Sequence, residues 1–157
     1  MPNLKVLLTD GIDQAGVDLL GKTEIIEPLV DAKPGRQKLL ELVSDLDGIV
    51  VRSATQVDRE LIESAPRLKV IGRAGVGIDN VDIGAATERG VIVMNSPGGS
   101  STTTAEHAVA MMFALSRNIP QAYCLLKAGT WDKSRFKGVE LSGKTLGVVG
   151  LGRIGSE

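Results

Sequence analysis

Short apolar runs rich in β-branched residues alternate with longer stretches of helical periodicity over the first two-thirds of the chain. This alternation is typical of βαβ units, and it predicts an α/β fold with a doubly wound, mostly parallel sheet of the flavodoxin-like or Rossmann-like kind. The predicted strands cover residues 5–9, 24–26, 48–52, 68–72 and 91–94. The predicted helices cover residues 13–20, 37–46, 58–64 and 82–88, and three of them begin at an aspartate suited to N-capping.

The alternation stops at residues 96–101, where Ser, Pro and Gly form a turn-rich segment. We therefore expect a first domain over residues 1–97 and a second over 98–157. The second begins with a predicted helix over residues 102–127, almost wholly apolar in its middle, which Pro120 ends or bends. A last predicted strand covers residues 145–149, so the second domain is expected to hold only the first helix and strand of a cofactor domain.

The composition narrows the classes of function. The chain has 157 residues, 43% hydrophobic content, and 18 basic against 19 acidic residues that are interspersed, so no nucleic-acid-binding surface is expected. The longest apolar run, residues 108–115, is too short to span a membrane. A single cysteine, Cys124, and an N-terminus that leads directly into a strand pattern predict a cytoplasmic protein without disulfides. No residue spacing suggests a metal site.

The last residues carry a glycine fingerprint, Gly150, Gly152 and Gly155 in the pattern G-x-G-x-x-G. In dinucleotide-binding folds these glycines form a tight strand-to-helix turn on which a pyrophosphate sits, so they predict an NAD site. The acidic residue that binds the ribose is expected roughly 20 residues further on, beyond residue 157. The fingerprint alone is a weak signal.

Polar groups follow three of the predicted strands, where ligands bind in an open parallel sheet. Arg52 and Ser53 follow the third strand, Arg73 ends the fourth, and a Ser-Pro-Gly-Gly turn follows the fifth. Guanidinium groups and free backbone N–H groups match a carboxylate or a phosphate, which predicts a site for a small acid. The alternative is that both arginines simply pair with nearby carboxylates. The single histidine, His107, is expected on a helix surface rather than in catalysis.

The ordered motifs identify a family. Residues 50–55 (VVRSAT), 70–82 (VIGRAGVGIDNVD), 95–97 (NSP), 104–107 (TAEH) and 146–155 together resemble the D-isomer-specific 2-hydroxyacid dehydrogenases. The resemblance implies two domains with a cleft between them and an NAD-dependent hydride transfer. Within the family it implies oxidation of the small phosphorylated hydroxy acid 3-phosphoglycerate to 3-phosphohydroxypyruvate, at the entry to serine biosynthesis. Two alternatives stay open: a glyoxylate or hydroxypyruvate reductase or an enzyme for another D-2-hydroxy acid, and a non-catalytic self-associating module.

The resemblance also implies roles for individual residues. Arg52, Ser53 and Arg73 would face the substrate anion, Gly75 and Val76 would lie by its carboxylate, and Val76 would also approach the nicotinamide. The residues implied at the NAD pyrophosphate are Gly150, Gly152, Arg153, Ile154 and Gly155. Ser100 stands where similar enzymes usually carry an asparagine that helps to hold substrate.

The family's catalytic arginine, glutamate and acid/base histidine follow the fingerprint, so no catalytic residue is assigned within the 157 residues. We therefore expect the chain to be the N-terminal part of the enzyme and to be inactive by itself. The apolar helix and the last strand would then leave exposed apolar surface and an unpaired strand edge. This predicts a homodimer formed by the second segments, with exchange of the helix across residues 97–99 as one route to it.

Overall fold

A computed structural model describes residues 3–157. The chain divides into two compact units, Met1–Gly99 and Ser100–Glu157. The functional assignment of the two predicted domains stays a prediction. Each unit is described by itself below.

The first unit contains a five-stranded parallel sheet in the order β2-β1-β3-β4-β5. Its strands are β1 (Leu4–Leu8), β2 (Ile26–Val30), β3 (Gly48–Val51), β4 (Val70–Arg73) and β5 (Ile92–Asn95). The helices between them are α1 (Gln14–Gly21), α2 (Arg36–Val43), α3 (Arg59–Glu63) and α4 (Ile83–Glu88). A doubly wound parallel α/β sheet is therefore confirmed.

Local sequence signals explain where most of these helices begin. The carboxylates of Asp13, Asp58 and Asp82 each accept a backbone N–H bond in the first turn of the helix that follows. Such a bond satisfies one of the N–H groups that a helix leaves without an internal partner. The three predicted caps are confirmed.

The second strand differs from the prediction. It covers Ile26–Val30 rather than residues 24–26, and it contains Pro28. The shift is permitted because β2 lies at the edge of the sheet and pairs only with β1, where a residue without an N–H can be accommodated.

The core of the first unit lies between the sheet and its helices. Ile49 and Ile71, on neighbouring central strands, and Leu61 on α3 are fully buried. A continuous cluster of buried residues joins them to side chains of α2 and α4. The observed strand order determines which connections meet at the carboxyl edge of the sheet.

The second unit contains α5 (Ser101–Ser116), α6 (Ile119–Lys127), a 3₁₀ turn (Lys133–Arg135) and the short helix α7 (Arg153–Ser156). The single predicted helix over residues 102–127 is thus two helices. The break falls at Asn118, which has a left-handed φ of 54°. Pro120 lies in the first turn of α6, a position that suits a residue without an N–H, so it starts a helix rather than ending one.

The predicted strand over residues 145–149 does not form. The segment has no ladder partner among the described residues, and Val149 is fully exposed. An extended segment becomes a strand only when a neighbour supplies hydrogen bonds, so an apolar pattern by itself does not produce one.

Candidate anion site at the carboxyl edge of the first unit

The sheet register places the predicted anion-binding residues side by side. Val51, the last residue of β3, pairs with Arg73 at the end of β4, and Arg73 pairs with Asn95 at the end of β5. Neighbouring strands lie about 4.8 Å apart, so the backbone of Arg52 begins next to that of Arg73. The strand pairing therefore places both arginines at one edge of the sheet, as the sequence predicts.

Arg52 and Ser53 lie on an exposed connection, residues 52–55, which we call the arginine loop. The carboxylate of Asp10, directly beyond β1, accepts the N–H of Arg52 (2.8 Å) and the N–H of Thr55 (3.0 Å). The side-chain amide of the buried residue Asn80 donates to the carbonyls of Arg52 (2.8 Å) and Thr55 (2.7 Å). The loop is thus fixed at both ends by side chains from other connections.

Asp10 is held in its ionised form. Burial is the largest single influence and by itself would raise its pKa. The hydroxyl of Thr55 and the N–H groups of Thr55 and Arg52 donate to the carboxylate, and together they hold the pKa of Asp10 below its ordinary value. The group that fixes the arginine loop is therefore an anion at neutral pH.

Arg73 is packed against the glycine turn that follows β4. A Cβ atom at Gly75 would collide with its guanidinium group, so only a glycine lets the side chain lie there. The side-chain amide of Asn95 donates to the carbonyl of Val76 (2.7 Å), and the N–H of Ser96 donates to the carbonyl of Gly75 (2.9 Å). The connection after β5 thereby fixes the turn.

Neither arginine has a counter-ion. Within residues 3–157, Arg36, Arg59 and Arg67 form ion pairs with carboxylates, whereas Arg52 and Arg73 form none. The Nε atom of Arg73 is buried without a hydrogen-bond partner. The alternative that both side chains pair with nearby carboxylates is therefore wrong for the described residues.

Sequence reasoning assigned no role to Asp10 and Asn80. Asp10 follows the first strand, so inspecting the end of that strand as well as the later ones would have found it. Asn80 carried no such signal, because its role depends on contacts with residues 25 and 28 positions away.

The remaining predicted residues lie in the second unit. Ser100 is exposed at the start of α5, where its carbonyl accepts bonds from Thr104 and its hydroxyl caps nothing. His107 is an exposed residue of α5, and Cys124 is exposed on α6. In the described part of the chain no group of three or more His, Cys, Asp or Glu side chains could hold a metal ion. None of its helices is long and apolar enough to cross a membrane.

The glycine fingerprint forms a tight turn before α7. Gly150 has a φ of 99°, and Gly152 is the residue from which the helix starts. A Cβ atom at Gly155 would collide with the carbonyl of Gly150, whereas the space beside Gly152 is open to 4 Å. These are the close packing and the open approach that a pyrophosphate-binding turn requires, so the turn fits the diphosphate part of a dinucleotide.

The first unit is thus a doubly wound parallel sheet with two unpaired arginines at its carboxyl edge, and a glycine turn of the dinucleotide-binding type follows it in the chain. The chain belongs to the D-isomer specific 2-hydroxyacid dehydrogenase family, whose catalytic-domain model matches residues 6–145. The family predicted from the sequence motifs is confirmed.

Relatives and solved structures agree with this family. D-3-phosphoglycerate dehydrogenase of Methanocaldococcus jannaschii is 51% identical over 157 residues, 98% of this chain and 29% of the relative. The structure of an NAD-dependent formate dehydrogenase of Staphylococcus aureus with NAD has a TM-score of 0.85 and 31% identity, covering 98% of this chain and 51% of that one. The NAD+-bound 3-phosphoglycerate dehydrogenase of Entamoeba histolytica has a TM-score of 0.77 and 29% identity, with 98% and 48% coverage. The chain thus spans less than a third of the curated relative.

Proposed function

We propose that this chain supplies the substrate-anion site and the pyrophosphate turn of an NAD-dependent dehydrogenase that oxidises 3-phosphoglycerate to 3-phosphohydroxypyruvate in serine biosynthesis. The observation that carries the proposal is the pair of arginines without counter-ions, Arg52 and Arg73, beside the Gly75 turn. The names of the two phosphoglycerate dehydrogenases to which it is similar support this substrate.

Substrate binding would divide between the two arginines. A phosphate is a tetrahedral oxyanion and a carboxylate is a planar one. A guanidinium group can bind either through two parallel N–H···O bonds. Arg52 and Ser53 lie on the exposed loop, and Arg73 lies against the Gly75–Val76 turn. We assign the phosphate to the arginine loop and the carboxylate to the turn.

The cofactor would bind through the fingerprint. The backbone N–H groups of Gly152, Arg153 and Ile154 would hold the diphosphate, with Gly150 and Gly155 shaping the turn. NAD, when bound, accepts the hydride that leaves the substrate carbon. None of the 157 residues is assigned as the acid/base group, since the one histidine is exposed on α5. We expect no NADH formation by the 157-residue polypeptide with 3-phosphoglycerate.

The experiment that tests this function is isothermal titration of the chain with 3-phosphoglycerate. Arg73→Ala and Arg52→Ala are each expected to weaken binding roughly tenfold or more, because each removes a charge-assisted hydrogen-bonding group. Arg89→Ala is the control, since Arg89 is exposed at the end of α4 and forms no ion pair among the described residues. Equal loss in all three variants, or no binding by the unaltered chain, would contradict the proposal.

The same titration separates the substrate classes. D-glycerate lacks the phosphate, so it is expected to bind more weakly than 3-phosphoglycerate and to be insensitive to Arg52→Ala. Tighter binding of D-glycerate or glyoxylate would instead favour a reductase for unphosphorylated hydroxy acids.

We also infer that the protein is a homodimer formed by its second unit. The support is the exposed apolar surface of α5, where Met111, Phe113 and Leu115 are all more than half exposed. The cytoplasm stays our predicted compartment, supported by a lone, exposed thiol at Cys124.

A further inference from the structure

We propose that Asp10 and Asn80 are positioning residues that hold the arginine loop in the conformation that binds an anion. This inference rests on the proposed function, since it concerns the same site. Neither side chain is assigned to touch the substrate. Both act through the backbone of Arg52 and Thr55.

The contacts form a closed clamp. Arg52 donates its N–H to Asp10 and accepts at its carbonyl from Asn80, and Thr55 does the same with the same two side chains. The hydroxyl of Thr55 adds a third bond to the carboxylate, at 2.7 Å. Both ends of a four-residue loop are therefore fixed by two residues that lie far from it in sequence.

The clamp leaves the middle of the loop free for a ligand. Among the hydrogen bonds of residues 3–157, the N–H groups of Ser53 and Ala54 and the hydroxyl of Ser53 have no partner. Ser53 and Ala54 are exposed. Exposed N–H groups on successive residues that lack an internal partner are available as donors to an anion. With the guanidinium of Arg52, the loop offers a phosphate neutral and charged donors together.

Two features indicate that the clamp is maintained at a conformational cost. Asp10 has a φ of 59°, a left-handed backbone that is unfavourable for a residue with a side chain. Asn80 is almost fully buried, and its Oδ1 atom has no partner. The loop bonds made by each side chain offset these costs. Pre-ordering the loop before the anion arrives would raise affinity, because less freedom is then lost on binding.

The test combines loop order with anion affinity. Amide hydrogen exchange of Arg52 and Thr55 is measured by NMR in the ligand-free chain, and 3-phosphoglycerate binding is measured by calorimetry. Asp10→Asn is expected to speed exchange of both amides about tenfold, as expected for local opening of a weakened hydrogen bond. It is expected to weaken binding roughly tenfold, because the loop must then be ordered by the ligand.

Matched variants separate positioning from general stability. Thr55→Val removes the hydroxyl bonds to Asp10 (2.7 Å) and to the buried hydroxyl of Thr9 (3.1 Å) at nearly constant shape. It is expected to shift exchange and affinity in the same direction by a smaller factor. Thr55→Ser restores the hydroxyl and is expected to restore both. Asp13→Asn makes the same change of charge three residues away, at the cap of α1, and is expected to change neither.

The outcomes are distinct. Unchanged exchange in Asp10→Asn overturns the inference, and so does faster exchange with unchanged affinity for 3-phosphoglycerate. The inference is also overturned if Thr55→Ser shows the same fast exchange and weak 3-phosphoglycerate binding as Thr55→Val. If the unaltered chain does not bind 3-phosphoglycerate, the proposed function itself fails and the inference fails with it, and the wild-type titration identifies that case.

Discussion

The two units of this chain share a similar apolar content but use it differently. Among the described residues, eighteen hydrophobic residues of the first unit are buried, whereas the second unit buries none and exposes fourteen large ones. The helices of the second unit still form, because a helix satisfies its own backbone hydrogen bonds. Its apolar segment over residues 145–149 does not become a strand, because a strand needs a neighbour. In this unit helices are therefore present without a buried core, whereas a strand is not.

The four aromatic residues make this comparison measurable. Phe113, Tyr123, Trp131 and Phe136 all lie in the second unit, and the first contains none. Tryptophan fluorescence thus reports only on the second unit, while far-UV circular dichroism includes the sheet of the first. Each prediction below can be assigned to one unit.

The largest expected effect is on the core of the first unit. Leu61→Ala creates a cavity at a fully buried site and is expected to cost about 2–5 kcal/mol in the free energy of unfolding. Leu115→Ala, at a side chain 81% exposed, is expected to cost less than about 0.5 kcal/mol. Urea denaturation followed by circular dichroism measures both. If both variants lost the same free energy of unfolding, the two units would not differ in how much their apolar side chains stabilise the fold.

A smaller effect is expected at a buried carboxylate. Asp47 is almost fully buried and accepts bonds from the N–H of Lys5 (3.1 Å), Arg67 (2.9 Å) and Lys69 (3.2 Å). Asp47→Asn is expected to cost about 1.5–3 kcal/mol, the range for hydrogen bonds to a charged group. Asp132→Asn is the control in the second unit, where the carboxylate is exposed and bonds only Ser134, and little change is expected.

The pH dependence follows from the same group. Burial is the largest influence and opposes ionisation of Asp47, but the bonds from Lys5 and Lys69 and the charge of Arg67 outweigh it, so its pKa lies below the ordinary value. A carboxyl with a depressed pKa in the folded state contributes stability at neutral pH that is lost as pH falls through that pKa. Asp47→Asn should flatten the loss of stability below about pH 4, where an unfolded aspartate titrates. An equally steep loss of stability below about pH 4 in Asp47→Asn and in the unaltered chain would contradict this.

The smallest expected effect is on association. Light scattering at micromolar concentrations is expected to give the mass of a dimer, and Leu115→Lys is expected to weaken association roughly tenfold by placing a charge on an apolar contact. Ile92→Lys, on an exposed position of β5 in the first unit, is the control and should leave the mass unchanged. A monomer mass for the unaltered chain would overturn the dimer.

Sequence reasoning succeeded where the signal is local. The N-caps at Asp13, Asp58 and Asp82 and the alternation of strands and helices are properties of short segments, and both are confirmed. Because the strands are parallel, their order along the chain was enough to place Arg52 and Arg73 on one edge.

The failures arise where the outcome depends on distant residues. The strand over 145–149 needed a partner that its own pattern cannot reveal. The clamp on the arginine loop joins Asp10 and Asn80 to residues between 25 and 45 positions away, so no local pattern indicates it. The roles of the site residues stay predictions.

The central claim is that an anion binds at the carboxyl edge of the first unit, and backbone NMR during titration with 3-phosphoglycerate tests it most directly. The largest amide shifts are expected at Arg52, Ser53, Gly75 and Val76, and at a ligand concentration near the Kd of the unaltered chain Arg73→Ala is expected to reduce them severalfold. Shifts confined to other residues, or shifts of unchanged size in Arg73→Ala, would contradict the claim.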